Sequence, residues 1–171
     1  MIKIRKALGS NSPVLSSEKK DFPTLVVRSK RLYSDLLSLG GIPKKSTKIR
    51  FPKINNSYLP DFIRGFFDGD GSVHYIAYKA TRNQKLYTEI RRNFTSGSLA
   101  FLEQLREILS ARINLSYRVI CQYGPHQFKL GFGQKDTAKL LGFMYYPGHT
   151  ISLDRKFIYL QRLSKFFFQR S

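Results

Sequence analysis

Two carboxylates, Asp68 and Asp70, are the side chains of this sequence best suited to chemistry. They end the run Leu59-Pro60-Asp61-Phe62-Ile63-Arg64-Gly65-Phe66-Phe67-Asp68-Gly69-Asp70-Gly71, which occurs once. Two acids spaced two apart at a helix end point in different directions, so only one shares a side with Gly65 and Gly69. Glycines along one side of a helix allow another helix to approach closely. A symmetry-related copy of this helix would bring like charges together, which requires bound cations.

Oxygen ligands of this kind suit Mg²⁺, and paired sites suit phosphodiester hydrolysis. A plain polar helix end with a turn remains an alternative. A calcium loop is a second alternative, because Asp68-x-Asp70-x-Ser72 resembles its opening. That alternative fails, since the sixth position is Val73 instead of Gly and the twelfth is Lys79 instead of Glu.

The elements that must position these acids follow from periodicity. A helix is predicted from about Tyr58 to Gly69, with Pro60 in the first turn, where its missing N–H costs nothing. A hairpin follows, with strands at Val73–Lys79 and Lys85–Phe94 and a turn between them. Apolar and polar residues alternate along the second strand, which predicts one face on the core and one polar face. Arg92 interrupts the inward apolar series.

The rest of the chain predicts a second helix and hairpin. An apolar stripe predicts a helix at about Leu99–Ser110 with Ser98 as its cap, and a hairpin is predicted within Tyr117–Phe132. Helices near Lys135–Met144 and Leu153–Gln169 complete the pattern. The predicted fold class is α+β, an antiparallel sheet with helices on one face.

An imperfect repeat precedes this unit. Ile4-Arg5-Lys6-Ala7-Leu8 resembles Leu105-Arg106-Glu107-Ile108-Leu109, and Ser34-Asp35-Leu36-Leu37 resembles Ala138-Lys139-Leu140-Leu141. Each copy has the order helix, strand, strand, helix, with Thr24–Arg28 as the second strand of the first copy; chance similarity of two basic stretches is the alternative. We therefore expect residues 1–55 to be an extension that matches the back half of a unit without the motif, and 56–171 to be the complete unit.

Charge indicates the partner. Thirty Lys and Arg stand against eleven Asp and Glu, giving +19, and so basic a surface favours nucleic acid. No apolar run approaches the roughly 20 residues of a membrane span, so no membrane is expected; the basic, aromatic tail favours a terminal helix over lipid docking. Cys121 is the only cysteine, which excludes an intrachain disulfide and a cysteine-rich zinc site. The chain is expected to be intracellular, with no small-molecule cofactor.

The stretch Ile63–Gly71 resembles the signature of the LAGLIDADG homing endonucleases, with matching Gly65, Asp68, Asp70 and Gly71. The preceding residues 41–52 resemble the approach to the second motif of two-motif members. Phe94-Thr95-Ser96-Gly97-Ser98 resembles the family's junction from strand to helix. The resemblance implies the αββαββα fold, with the open sheet face forming a DNA-binding saddle.

The resemblance also implies roles by position. Asp70 and the Gly69 carbonyl correspond to metal ligands for Mg²⁺, and Mn²⁺ or Ca²⁺ can occupy the same sites. Asp68 corresponds to a helix-end residue behind the ligands, and Gly65 to the helix interface. Lys48, or Lys156 beside Arg155, corresponds to the catalytic basic residue, with an ordinary phosphate contact or a surface charge as the alternative. Thr95 and Ser96 lie where relatives hold a polar residue that organises water.

The polar sheet face is expected to read base edges in the major groove, with many of its residues contacting only phosphates. The candidate DNA-binding residues are Lys79, Arg82, Gln84, Lys85, Tyr87, Arg91, Asn93, Arg118, Gln122, Gln127 and Lys129.

The expected function is that of an intron- or intein-type homing endonuclease, cutting both strands of a long, near-palindromic DNA site across the minor groove. Because the motif occurs once, a homodimer through the motif helix Leu59–Gly71 is expected. The motif-less repeat equally allows a longer or split two-motif protein. The alternative function is a binding protein that does not cleave, such as an intron maturase or a DNA-binding regulator.

Overall fold

The computed structural model describes residues 1–17, 20–41, 45–159 and 161. Within them the chain divides into two compact units, Met1–Ser38 and Leu39–Ser171. The predicted division into residues 1–55 and 56–171 stays a prediction; the contacts divide the chain after Ser38. No helix among the described residues is long and apolar enough to cross a membrane.

The first unit has the element order that the repeat predicted. Helix α1 (Ile2–Ala7) leads to the antiparallel strands β1 (Val14–Ser17) and β2 (Lys20–Leu25), and helix α2 (Lys30–Ser38) follows. The predicted second strand, Thr24–Arg28, lies too late in the sequence. Val14 pairs with Leu25 and directly follows Pro13, so β2 has no partner beyond Leu25.

The second unit is built on one antiparallel sheet of four strands in the order β3-β4-β6-β5. The motif helix α3 (Leu59–Asp70) runs into β3 (Gly71–Lys79) and β4 (Leu86–Ser96). Helix α4 (Leu99–Ile113), strands β5 (Ile120–Gly124) and β6 (Gln127–Gly131) and helix α5 (Gln134–Met144) follow. Residues 154–159 and 161 are helical. This order is αββαββα, so the predicted fold class is confirmed.

The helices cover one face of this sheet. Alternation places Phe94 and its partner Leu130 on the covered face, where both are buried. The buried core also includes Ile63, Phe67 and Leu105, from α3 and α4. Ser98 caps α4 as predicted, because its Oγ accepts from the Phe101 N–H at 3.3 Å.

Helix α3 is held by groups at the end of α5 and in the segment after it. Pro60 lies in its first turn, as predicted. Arg64 is buried, and its guanidinium donates to the carbonyls of Met144 at 2.7 Å and Ile151 at 2.6 Å and pairs with Asp61. These bonds satisfy a buried charge and fix the helix against the segment after α5.

Two predicted features extend beyond the described part of the chain. Residues 42–44 of the stretch that resembles the approach to the second motif lie outside it, and so do Leu160 and residues 162–169 of the predicted terminal helix. The described beginning of that helix, residues 154–159, agrees with the prediction.

Candidate functional site

The sheet face opposite the helices is polar. In β4 the residues that alternate with Phe94 are Arg91, Asn93 and Thr95, and the cross-strand partners of Asn93 and Thr95 on β6 are Gly131 and Lys129. Arg92 lies on the covered face with Phe94 and is buried. The polar face that the sequence predicted is therefore present.

Register divides the predicted DNA-binding residues. Tyr87, Arg91, Asn93, Gln127 and Lys129 share the open face, whereas Arg82, Gln84 and Lys85 form the exposed turn between β3 and β4. Lys79 pairs with Leu86, and Gln122 pairs with Phe128, so the register places both on the side of the sheet that the helices cover. Arg118 precedes β5 and lies 3.7 Å from a carboxylate oxygen of the buried Asp136.

Side-chain contacts organise the open face. The Asn93 carbonyl oxygen accepts from Ser72 and from Thr95, each at 3.0 Å, which explains why Asn93 is only 7% exposed. The rings of Tyr78 and Tyr87 stack at 6.0 Å, and the Lys129 ammonium lies 4.3 Å from the centre of the Tyr123 ring. A cation and aromatic rings are thus presented side by side.

Asp70 is the last residue of α3 and its side chain is exposed. It lines an open cavity of about 600 Å³ together with Thr95, Ser96, His126 and Gln127. The structure therefore brings Asp70 close to the two polar residues of the junction between β4 and α4 and to the turn before β6. Gln127 is the one predicted DNA-binding residue that lines this cavity.

Asp68 faces the protein. One oxygen accepts from the Tyr145 hydroxyl at 3.0 Å, and the other accepts from the Leu153 backbone N–H at 2.8 Å. Burial raises the pKa of the Tyr145 hydroxyl above its ordinary value, and the neighbouring Asp68 carboxylate raises this pKa further. The two acids of the motif therefore have different surroundings: Asp68 is bonded within the fold, and Asp70 is open.

Lys156 is buried beneath the end of α3, with 8% of its surface exposed. Its Nζ donates to the carbonyls of Phe67 at 2.7 Å, Asp68 at 2.8 Å and Gly71 at 2.5 Å. Burial lowers the pKa of this amino group, and the neighbouring Arg155 lowers it further. Every N–H of the ammonium thus has an acceptor inside the chain.

Gly69 and Gly65 are exposed on α3, and a Cβ built on either would meet nothing within 4 Å. Spaced four apart, they lie on one side of the helix. Gly69 also lines a cavity of about 360 Å³ with Ser72, Arg155 and Tyr159. The backbone of the motif helix is therefore open at these two positions.

The three predicted catalytic residues do not line one cavity. Lys48 is exposed and lines a third cavity, of about 470 Å³, with Arg50 and His126. Lys156 lies at the second cavity, with Gly69. His126 borders both the Asp70 cavity and the Lys48 cavity; it was not singled out from sequence, because it lies in a turn that has no periodic signal.

A divalent cation needs more oxygen ligands than the described residues bring together. Among the described residues, no group of three or more His, Cys, Asp or Glu side chains could hold a metal ion. The exposed Asp70 carboxylate and a Gly69 carbonyl are two ligands of a kind that suits Mg²⁺, which takes about six. These residues fit such an ion when phosphate oxygens, water or a second chain complete the set.

Comparison with known proteins gives matches among solved structures only. No protein-family model matches the chain, and no curated protein matches it. The chain is similar to the archaeal intron-encoded homing endonuclease I-Vdi141I complexed with DNA, at 13% identity and a TM-score of 0.49, over 65% of this chain and 69% of that one. It is similar to the homing endonuclease I-TnaI at 13% identity and a TM-score of 0.43, over 62% and 69%.

A third similar structure is the meganuclease I-SmaMI bound to uncleaveable DNA, at 21% identity and a TM-score of 0.46. The match covers 81% of this chain but only 44% of I-SmaMI. I-SmaMI is called a LAGLIDADG homing endonuclease in its complex with cleaved DNA, and that is the family whose motif residues 63–71 resemble.

Proposed function

We propose that the chain is a site-specific DNA endonuclease subunit that hydrolyses phosphodiester bonds at the end of helix α3. The observation that carries the proposal is the position of Asp70. Its exposed carboxylate ends a helix that leads directly into a polar, basic sheet face. A carboxylate beside a face that would bind a polyanion suits a cation that neutralises phosphate charge.

Duplex DNA lies along the open face of the second unit in this proposal. The net charge of +19 favours binding through phosphates and makes the affinity strongly dependent on salt. Tyr87, Arg91, Gln127 and Lys129 offer rings, a guanidinium, an amide and an ammonium on one face, and these groups can read base edges in a major groove. The exposed turn with Arg82 and Lys85 extends this contact along the backbone.

The chemistry belongs to Asp70 and its neighbours. With Mg²⁺ bound by the Asp70 carboxylate and the Gly69 carbonyl, the ion would polarise the scissile phosphate and activate water. Thr95 and Ser96 line the Asp70 cavity and can orient that water through their hydroxyls. Asp68 stays bonded to Tyr145 and Leu153 and keeps the helix end in place.

Cutting both strands requires two such ends, and the chain has one motif. We propose that a second motif helix packs across the side of α3 that carries Gly65 and Gly69, where the two glycines allow close approach. A second copy of this chain is the simplest source and predicts a near-palindromic site. A different protein with its own motif helix could also supply the second helix end.

A second candidate function is DNA or RNA binding without cleavage, as in an intron maturase or a regulator. The bonding of Lys156 favours it, because that ammonium has no N–H left for a phosphate. The retained, exposed Asp70 favours the nuclease.

The deciding experiment compares Asp70→Asn with the wild-type chain on duplexes selected from a random library. Asn keeps the size of the side chain but removes the charge that would hold Mg²⁺. We expect cleavage in Mg²⁺ to fall by about 100- to 1,000-fold, the range for loss of an essential electrostatic group, while affinity for the uncut duplex stays within about threefold, a free-energy change below roughly 1 kcal/mol.

The matched control is Glu107→Gln, which removes an exposed carboxylate from α4 and should cut normally. Binding without cutting by the wild-type chain, alone and with any partner copy, would favour the second candidate function instead.

A further inference from the structure

The amino group of Lys156 lies beneath the end of helix α3 and is the centre of a small backbone cage. It donates to the carbonyls of Phe67, Asp68 and Gly71, at 2.5–2.8 Å. An ammonium has three N–H groups, and each has a separate acceptor here. A phosphate could be contacted only after one of these bonds was broken.

Two of these acceptors, the carbonyls of Phe67 and Asp68, lie in the last turn of α3, and the third belongs to Gly71, the first residue of β3. The Phe67 carbonyl also accepts from the Gly71 N–H. The last carbonyls of a helix have no partner within it, and a cation near them is favoured by the helix dipole. Lys156 reaches the site from 85 to 89 residues further along the chain. It therefore binds the end of α3 to the segment that follows α5.

The residues held in this way enclose the proposed cation ligands. Gly69 and Asp70 lie between Asp68 and Gly71, whose carbonyls both bind Lys156. Asp68 is held a second time through its carboxylate, by Tyr145 and Leu153. The two intervening residues are thus fixed on both sides, while both remain exposed.

We infer that Lys156 is a positioning residue, which fixes the backbone around Gly69 and Asp70 so that their oxygens face the DNA, and which does not itself touch the DNA. This inference rests on the proposed function. It differs from the role that sequence resemblance implied for Lys156, a basic group beside the scissile phosphate. The two roles predict different salt dependence of DNA affinity. A phosphate contact releases counterions, whereas a lysine bonded within the protein does not.

The test measures the salt dependence of duplex binding without Mg²⁺ for Lys156→Met and Lys129→Met. Lys129 lies on the open face, and its loss should reduce the slope of log affinity against log salt by about 0.9. For Lys156→Met we expect an unchanged slope and an affinity within threefold of wild type. A reduction in slope equal to that of Lys129→Met would overturn the inference.

Cleavage provides the second measurement. Displacement of the Asp70 end should lower the single-turnover rate of Lys156→Met by about 100-fold, the loss typical of a misplaced catalytic group. Lys156→Arg should not restore the rate, because a planar guanidinium does not match three converging carbonyls. Full rescue by arginine, with a wild-type salt slope, would contradict the cage. If the wild-type chain does not cut, the proposed function fails, whereas the salt slopes still decide the role of Lys156.

A third measurement uses only the wild-type chain, so a folding defect in the variants cannot affect it. Lysines are acetylated at limiting reagent and quantified by mass spectrometry, with and without duplex. We expect Lys156 to react much more slowly than the exposed Lys53 in both states. Reaction at the rate of Lys53 in the free chain, followed by protection on adding duplex, would identify a phosphate contact and overturn the inference.

Discussion

At the scale of single residues, the motif assigns different tasks to two carboxylates two positions apart. Asp68 accepts hydrogen bonds from Tyr145 and Leu153, whereas Asp70 is exposed at the edge of a cavity. The sequence predicted that the two acids point in different directions. It could not identify the partners of Asp68, because they lie 77 and 85 residues away in the chain.

The bond between Tyr145 and Asp68 predicts a stability loss at high pH. The folded-state pKa of Tyr145 is raised above the unfolded value of about 10. The unfolded tyrosine therefore loses its proton first, so this contribution to stability is complete below pH 10 and declines above it, by up to about 1.4 kcal/mol per pH unit. Tyr145→Phe should remove this decline.

The measurement is the free energy of urea unfolding of wild type and Tyr145→Phe from pH 8 to 12. The difference between the two proteins should be constant up to about pH 10 and then shift toward the variant. Tyr123→Phe, at an exposed tyrosine, is the matched control and should retain the wild-type pH dependence. Parallel curves for wild type and Tyr145→Phe up to pH 12 would contradict the assigned bond.

At the scale of elements, Gly65 within helix α3 and Gly71, which caps its end, have opposite steric requirements. A Cβ on Gly71 would lie 2.5 Å from the Phe67 carbonyl oxygen, but one on Gly65 would meet nothing within 4 Å. We predict that Gly71→Ala lowers the free energy of unfolding by about 1–3 kcal/mol through overpacking. Gly65→Ala should leave it unchanged or raise it by about 0.5–1 kcal/mol, because alanine is the better helix former.

The same glycine pair tests the proposed helix contact. If a second copy packs across Gly65, the added methyl group should weaken self-association by at least tenfold, which sedimentation velocity can measure. Equal association of wild type and Gly65→Ala would place any contact between copies elsewhere. Stability lost by Gly65→Ala but not by Gly71→Ala would contradict the packing of α3 itself.

Local periodicity predicted the elements of the second unit well. The start of α4 at Leu99 follows from the Ser98 cap and an apolar stripe, and both were readable from the sequence. The pairing register of the strands was harder to predict from the sequence. The face on which Lys79 lies is set by its pairing with Leu86, and strand β5 has a bulge between Gln122 and Gly124. The alternation of apolar and polar residues predicts neither the pairing nor the bulge.

At the scale of the whole molecule, charge is spread widely but only part of it should bind DNA. We predict that Gln at Arg82, Lys85 and Lys129 together reduces the slope of log affinity against log salt by two to three, about 0.9 for each phosphate contact. Gln at Arg112 and Lys139, on the helices that cover the other face, should change it little. Fluorescence anisotropy from 50 to 300 mM salt measures both; equal slopes for the two variants would contradict binding through the open face.

Composition predicted a polyanion partner from the net charge, and the single motif predicted a second helix end. The architecture of each unit could be foreseen because helices and hairpins are local. The choice between Lys48 and Lys156 as the catalytic basic residue could not be predicted. The two lysines line different cavities, which form only when the chain folds.

The most direct test of the account is cleavage of a selected duplex in Mg²⁺ by the wild-type chain and by Asp70→Asn, with binding measured on the same duplex. The account predicts that both proteins bind it with affinities within about threefold, and that only the wild-type chain cuts both strands. Cleavage by Asp70→Asn at the wild-type rate would contradict the claim that the end of helix α3 is the active site.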